Sequence, residues 1–321
     1  MRHLSATISA KNTLWMCVAL AAGILAAFLV VVLGTPTKPA EAAFPGKNGK
    51  IAFDSQLGGS DSEIFTMNAN GNDKSQLTNN RTHDSDPAFS PTGRKIAFNH
   101  NGDIFTMRAN GTHKKRVTTS ESPDRDPSWS PDGTRIAFDS RRNGNTDIYV
   151  INQDGSDLTR ITTSPQGDPF PAWSPDGTRI AFQRATPNGD VKIYVMKAAP
   201  ESETNIPQRL TTTSGPNVSE YVPSWSPNGT RIAFASNQSG NGELYSVRAD
   251  GSDLIQLTTN NFKSATLPAW SPDGTKIAFS GRRETDGTFG LFVMKAKPES
   301  VTNRPKRLTL GGFAPDWQPL R

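Results

Sequence analysis

A segment reading Asp126-Pro127-Ser128-Trp129-Ser130-Pro131-Asp132-Gly133-Thr134-Arg135-Ile136-Ala137-Phe138 returns almost unchanged at Phe170–Phe182, Val222–Phe234 and Leu267–Phe279, and more loosely at Asp86–Phe98, where Phe89 replaces tryptophan. The Ile-Ala-Phe core begins at Ile51, Ile96, Ile136, Ile180, Ile232 and Ile277, at spacings of 45, 40, 44, 52 and 45 residues. Self-similarity at roughly 40–50 residues means one supersecondary unit repeated, and it is the size of a propeller blade. Six copies predict six blades in an all-β fold.

Four strands can be read in each copy. The Pro-x-Trp-Ser stretch is the first, and Pro-Asp-Gly turns the chain into the second, such as Arg135–Asp139. Proline presets φ for the turn, and glycine accepts the positive φ of a tight reversal. A variable loop leads to a third strand rich in β-branched and aromatic residues, Asp103–Met107 or Asp147–Ile151. An Asp154-Gly155 or Asp250-Gly251 turn leads to a short fourth strand, expected at Leu257-Thr258. Each blade is thus a four-stranded antiparallel sheet.

The two ends of the array do not match. The first copy opens at Gly49-Lys50-Ile51 with no Pro-x-Trp strand before it, whereas the chain ends on Ala314-Pro315-Asp316-Trp317 with no strands after it. The missing and the surplus strand are the same one, so the C-terminal segment is expected to join the first blade and close the ring, removing free sheet edges.

With its Trp-Ser-Pro-Asp-Gly-x-x-Ile-Ala-Phe repeat, Ile-Tyr strand and Asp-Gly turn, residues 49–318 resemble the TolB-type, WD-like propeller family. That resemblance implies a six-bladed ring whose mouth engages a lipoprotein partner, and it extends to some carbohydrate-active propellers. TolB itself carries an additional α/β domain before its propeller, whereas here the expected leader runs almost directly into the first blade. Functions that depend on that domain are not carried over.

Before the repeats, Arg2 and Lys11 precede an uncharged run of 21 residues from Leu14 to Gly34, followed by Ala40-Glu41-Ala42. Basic, apolar and small-residue segments in that order make a secretory signal, yet the run is long enough to span a bilayer as a helix. A cleaved signal and a retained anchor both fit, and both place residues 44–321 outside the cytoplasm: secreted, periplasmic or held on the outer side of the membrane. The single cysteine, Cys17, lies in this run, so no disulfide scaffold exists. Without residues 1–43 the domain keeps 32 basic and 29 acidic residues, nearly neutral and without a basic run, which argues against a nucleic-acid partner.

Differences between copies indicate where a specific function sits. Turns after the first and third strands are stereotyped and share one face; loops after the second and fourth strands vary and share the other, so binding is expected there, around the channel mouth. Three residues before the strand-opening proline stand Asp84, Asp124, Asp168 and Glu220, then Ala265 and Gly312. One residue before it stand Asp86 and Asp126, then Phe170, Val222, Leu267 and Ala314, with Tyr221 and Phe313 nearby. An acidic arc beside an apolar patch suits a protein or peptide segment of the cell envelope bearing lysine or arginine, or a cation; the plainer alternative is that each carboxylate caps its own loop. The propeller is expected to be monomeric, with no cofactor and no resident metal.

Other repeated residues read as structural. Trp129, Trp173, Trp225, Trp270 and Trp317 recur at one position, as packing residues do. Lys50, Lys95, Arg135, Arg179, Arg231 and Lys276 precede the isoleucine and are expected to pair locally with Asp132, Asp176 and Asp273. Asn152-x-Asp154-Gly155-x-Asp157 lacks the full ligand series of a calcium loop and reads as a hairpin turn. The long loops 197–206 and 295–304 echo each other, as a duplicated blade would.

No Gly-x-Ser-x-Gly elbow occurs, and no residues remain for a hydrolase domain. A non-catalytic scaffold is therefore the first reading. The alternative is a carbohydrate-active or metal-dependent enzyme using carboxylates on the variable face, with His83 and His100 beside Asp84, Asp86 and Asp103.

Overall fold

The computed structural model describes residues 44–57, 59–213, 217–259, 261–298, 300 and 303–320. The expected leader, its apolar helix and Cys17 lie outside them.

Six four-stranded antiparallel sheets follow one another along the chain. Blade 3 shows the plan: an inner strand Asp124–Trp129, then Arg135–Ser140, Asp147–Asn152 and a two-residue outer strand Thr159–Arg160. Blade 1 takes its inner strand from the C-terminus, Phe313–Leu320, which pairs antiparallel with Lys47–Ser55. The closure expected from the mismatched ends is present.

The Ile-Ala-Phe pattern explains where the core lies. Side chains alternate across a strand, so the isoleucine and phenylalanine face one neighbouring blade and the alanine the other. In the layer between blades 2 and 3, Ile136 and Phe138 pack with Trp129 against Ala97, Ile104 and Val117. In the next layer Ala137 faces Trp173, Ile180 and Phe182. Each interface meets large residues with small ones, and the core is a ring of such inter-blade layers. Tryptophan adds a polar tie: Trp129, Trp225 and Trp317 donate their indole N–H to the carbonyls of Ala88, Ala172 and Ala269 in the preceding blade, at 3.1, 3.2 and 3.1 Å.

The fourth strands sit slightly earlier than expected. In blade 5 the strand is Ile255–Gln256, and Leu257 and Thr258 follow it. Pairing stops there because both following amides turn onto the carbonyl of Leu244, while the Thr258 hydroxyl takes the Leu244 N–H at 2.9 Å. Thr78, Thr118, Thr162 and Thr211 accept from Ile64, Ile104, Ile148 and Ile193 in the same way.

The basic residues before the isoleucine depart from local pairing. Asp132 accepts instead from Ser130 and Thr134 inside its own turn. That leaves Arg135 and Arg179 free to lie over Trp173 and Trp225 of the next blade, 5.0 and 4.7 Å from the ring centres, while Arg231 pairs with Asp253 at 2.7 Å. The calcium-like sequence is a hairpin turn in which Asp154 accepts from Ser156 and Asn152 donates to Asp157. Asn205 and Asn303 organise the two long loops identically, each bonding four backbone groups, from Lys197 to Pro200 and from Lys295 to Pro298.

Candidate functional site at the channel mouth

Six inner strands surround a central cavity of about 210 Å³. Every one of them bends at the residue before its proline: Asp86, Asp126, Phe170, Val222, Leu267 and Ala314 all have φ between 44° and 59°. A left-handed conformation is costly for such residues, on the order of 1–3 kcal/mol each, and persists only where its surroundings enforce it. Here the following proline disfavours the right-handed helical region, and the pairing register slips at this point in blades 2, 3, 5 and 6. The amide thrown out by the bend is caught by the preceding blade: Asp54 accepts from Asp86, Asp139 from Phe170 at 3.5 Å and Gln183 from Val222 at 3.0 Å. The bulge thus aims one side chain per blade into the channel.

Those side chains divide the wall. On one side are Asp86 and Asp126, backed by Asp54 and Asp139; on the other are Phe170, Val222, Leu267 and Ala314. Burial, then the charge of Asp86, pushes Asp54 up to about 7, and Ser62 is bonded to it at 3.0 Å. Burial likewise raises Asp139 to about 6 and Asp126 well above the usual range, the two sharing a hydrogen bond. Asp86 is raised by burial against the opposing pull of Ser85, Arg125 and His83. Asp316, on the same wall, accepts the Phe89 N–H at 2.6 Å, and burial lifts it to about 7. Asp54, Asp139 and Asp316 are thus raised to about 6 to 7, and the half-shell of buried carboxyl groups gains from an approaching cation.

The outer acidic set behaves differently. Asp84, Asp124, Asp168 and Glu220 are each fully buried. Asp84 meets His100 Nδ1 at 2.5 Å, Asp124 receives Arg142 at 2.8 Å, and Asp168 is held by both nitrogens of the Arg184 fork at 2.6 and 2.7 Å. Glu220 accepts from the hydroxyls of Thr211 and Thr213 and lies 3.8 Å from Lys192. Arg142 and Arg184 also lie over Tyr149 and Tyr194, and His100 sits edge-on to Phe105. These carboxylates brace the ends of their blades. His100 is thereby engaged, whereas His83 is exposed near Asp86.

Tyr221 and Phe313 stand exposed at the starts of their inner strands, on the variable face. Phe313 lies against Phe289 with ring centres 4.4 Å apart, and Leu310 is exposed nearby. At the stereotyped face Phe44 lines the channel together with Pro227, and it packs against the layer that holds Trp129 and Ala88. Among the described residues no group of three or more histidine, cysteine, aspartate or glutamate side chains is arranged to hold a metal ion.

Asp54, Asp139 and Asp316 escape the sequence reading, which followed the residues around the proline. One signal was available: the position after Ile-Ala-Phe is polar at Asp54, Asn99, Asp139 and Gln183 but small at Ala235 and Ser280.

The family model described as the TolB beta propeller domain matches residues 99–170 and 166–311. The chain belongs to the TolB β-propeller family. No curated protein matches it in sequence. Among solved structures, the putative TolB of Agrobacterium tumefaciens superposes with a TM-score of 0.66 at 21% identity, over 83% of this chain and 91% of that one. TolB of Acinetobacter baumannii gives 0.68 at 21%, over 91% and 70%. An oligogalacturonate lyase in complex with manganese gives 0.58 at 15%, over 84% and 77%. At these identities the likeness is one of fold.

Proposed function

We propose that this TolB-family propeller is an exported, non-catalytic scaffold that holds an extended protein segment of the cell envelope at the variable face. The observation that carries the reading is the divided channel wall, carboxyl groups opposite Phe170, Val222 and Leu267, with Phe44 at the far end. A peptide that places a lysine or arginine against Asp86 and Asp126 and an apolar residue on the other side matches both halves. Tyr221 and Phe313 flank its entry, and Asp84, Asp124, Asp168 and Glu220 hold the loops that carry it. Export rests on the leader, in either its cleaved or its anchored form.

A photocrosslinker placed at Tyr221 or Phe313 in the native envelope is expected to capture one defined protein, and the same probe at Leu254 on the stereotyped face is expected to miss it. Equal capture from both faces contradicts the reading. The second reading, carboxylate chemistry on an acidic polysaccharide, draws on the lyase likeness and on the proton shared by Asp126 and Asp139. Turnover of polygalacturonate that disappears in Asp126→Asn would establish it.

A further inference from the structure

Blade 2 departs from its siblings on the stereotyped face. Its first turn reads Pro-Thr92-Gly-Arg94-Lys95 where blade 3 has Pro-Asp132-Gly-Thr134-Arg135, and its second reads Asn110-Gly-Thr-His113-Lys114-Lys115 where blade 3 has Asp154-Gly-Ser-Asp157-Leu158-Thr159. Over these seven aligned positions blade 2 carries four cations and no acid, and blade 3 one cation and three acids. The fold of the turns is unchanged: His113 and Asp157 share the left-handed φ, 57° and 54°. The Ala109 N–H bonds the Arg94 carbonyl at 2.9 Å, which sets the two turns side by side.

Arg94, Lys95, Arg108, Lys114 and Lys115 are all exposed, and Lys50 of blade 1 adds to them across the contact of Gln318 with the Gly93 carbonyl at 2.8 Å. Among the described residues none of the six forms an ion pair within 4 Å; Lys95 and Lys115 donate to the Gln153 amide oxygen and the Asp154 carbonyl, and Lys115 acts only weakly on the exposed Asp154 carboxylate. The chain also enters the propeller on this face. Pro45 lies among the stereotyped turns of blades 5 and 6, with Ser226, Asn228 and Asp273, and Lys47 pairs with Leu320.

From these observations we infer that the stereotyped face of blades 1 and 2 is a docking surface for anionic phospholipid headgroups. Charge complementarity selects the ligand class, and the place where the chain enters selects the membrane as its source. Nine residues lie between Gly34, the end of the apolar run, and Phe44. Fully extended they reach about 35 Å, so an anchored propeller stays near the bilayer. A basic surface turned toward anionic lipid is attracted within a Debye length, about 10 Å at 0.1 M salt. The variable face is then presented away from the bilayer, open to a partner.

The test uses the full chain in nanodiscs of phosphatidylcholine alone or mixed with phosphatidylglycerol, and follows acetylation of Lys95, Lys114 and Lys115, with Lys263 on the opposite face as internal reference. Several-fold slower labelling of the three lysines in the anionic discs, reversed by high salt, is expected. The variant Arg94→Thr/Lys114→Leu/Lys115→Thr takes the residues that blade 3 carries at Thr134, Leu158 and Thr159 and is expected to fold, and to leave Lys50 and Lys47 equally labelled in both membranes. Equal rates for the wild-type chain in both membranes, or no association with the anionic discs, overturn the proposal. So does protection that arises from an added polyglutamate peptide but not from phosphatidylglycerol, which would assign the patch to an acidic protein.

Discussion

Asp54 is 95% removed from solvent, and one of its oxygens finds no hydrogen-bond partner. Its raised affinity for a proton therefore belongs to the folded state. The native chain keeps a proton on this group that the unfolded chain releases above its ordinary value of 3.8, so stability from this site is full below that pH and is lost as pH rises toward about 7. One proton of difference tilts stability by about 1.4 kcal/mol per pH unit. Asp54→Asn keeps an acceptor for the Asp86 amide and is expected to flatten the fall in melting temperature between those pH values; an unchanged slope contradicts the account. Arg184 provides a contrasting residue. Its loss leaves Asp168 buried without its partner, at a cost of about 3–5 kcal/mol, measurable as the shift in a denaturation midpoint of Arg184→Ala.

At the scale of strands and turns, the repeat is built on matched sizes. Ala137 presses on Trp173 and Phe182, so Ala137→Leu is expected to destabilise by about 1–3 kcal/mol through overpacking, and Trp173→Ala by about 3–5 kcal/mol. A chemical melt of each variant checks the order. Blade number, the turns and the inner Pro-x-Trp strand were legible in the sequence because periodic glycine, proline and tryptophan fix them locally. Two features were not. The left-handed residue before each proline is not a glycine, and at Asp86, Phe170 and Val222 it is held by tertiary hydrogen bonds in which Asp54, Asp139 and Gln183 accept its amide. The acidic arc split in two because Asp84, Asp124 and Asp168 find partners at His100, Arg142 and Arg184, loop and strand-end residues whose distance from the carboxylates along the chain is 16 to 18 residues.

For the whole molecule, ring closure and the divided wall of the channel define what the propeller presents. Without residues 312–321 blade 1 loses its inner strand and the layer around Trp317, so cooperative unfolding is expected to disappear; an unaltered melting temperature contradicts closure by this strand. The closed ring presents a channel with a carboxyl side and an apolar side, and that asymmetry is the basis of the proposed binding. The most direct test is the affinity of the protein segment captured at Tyr221 or Phe313 for the wild-type chain and for Asp86→Asn/Asp126→Asn. A loss of about tenfold or more, equal to about 1.4 kcal/mol, with folding intact and with tighter wild-type binding as rising pH strips the buried carboxyls of their protons, is the predicted result. Affinity unchanged by the double substitution would contradict the claim that the acidic wall receives the partner.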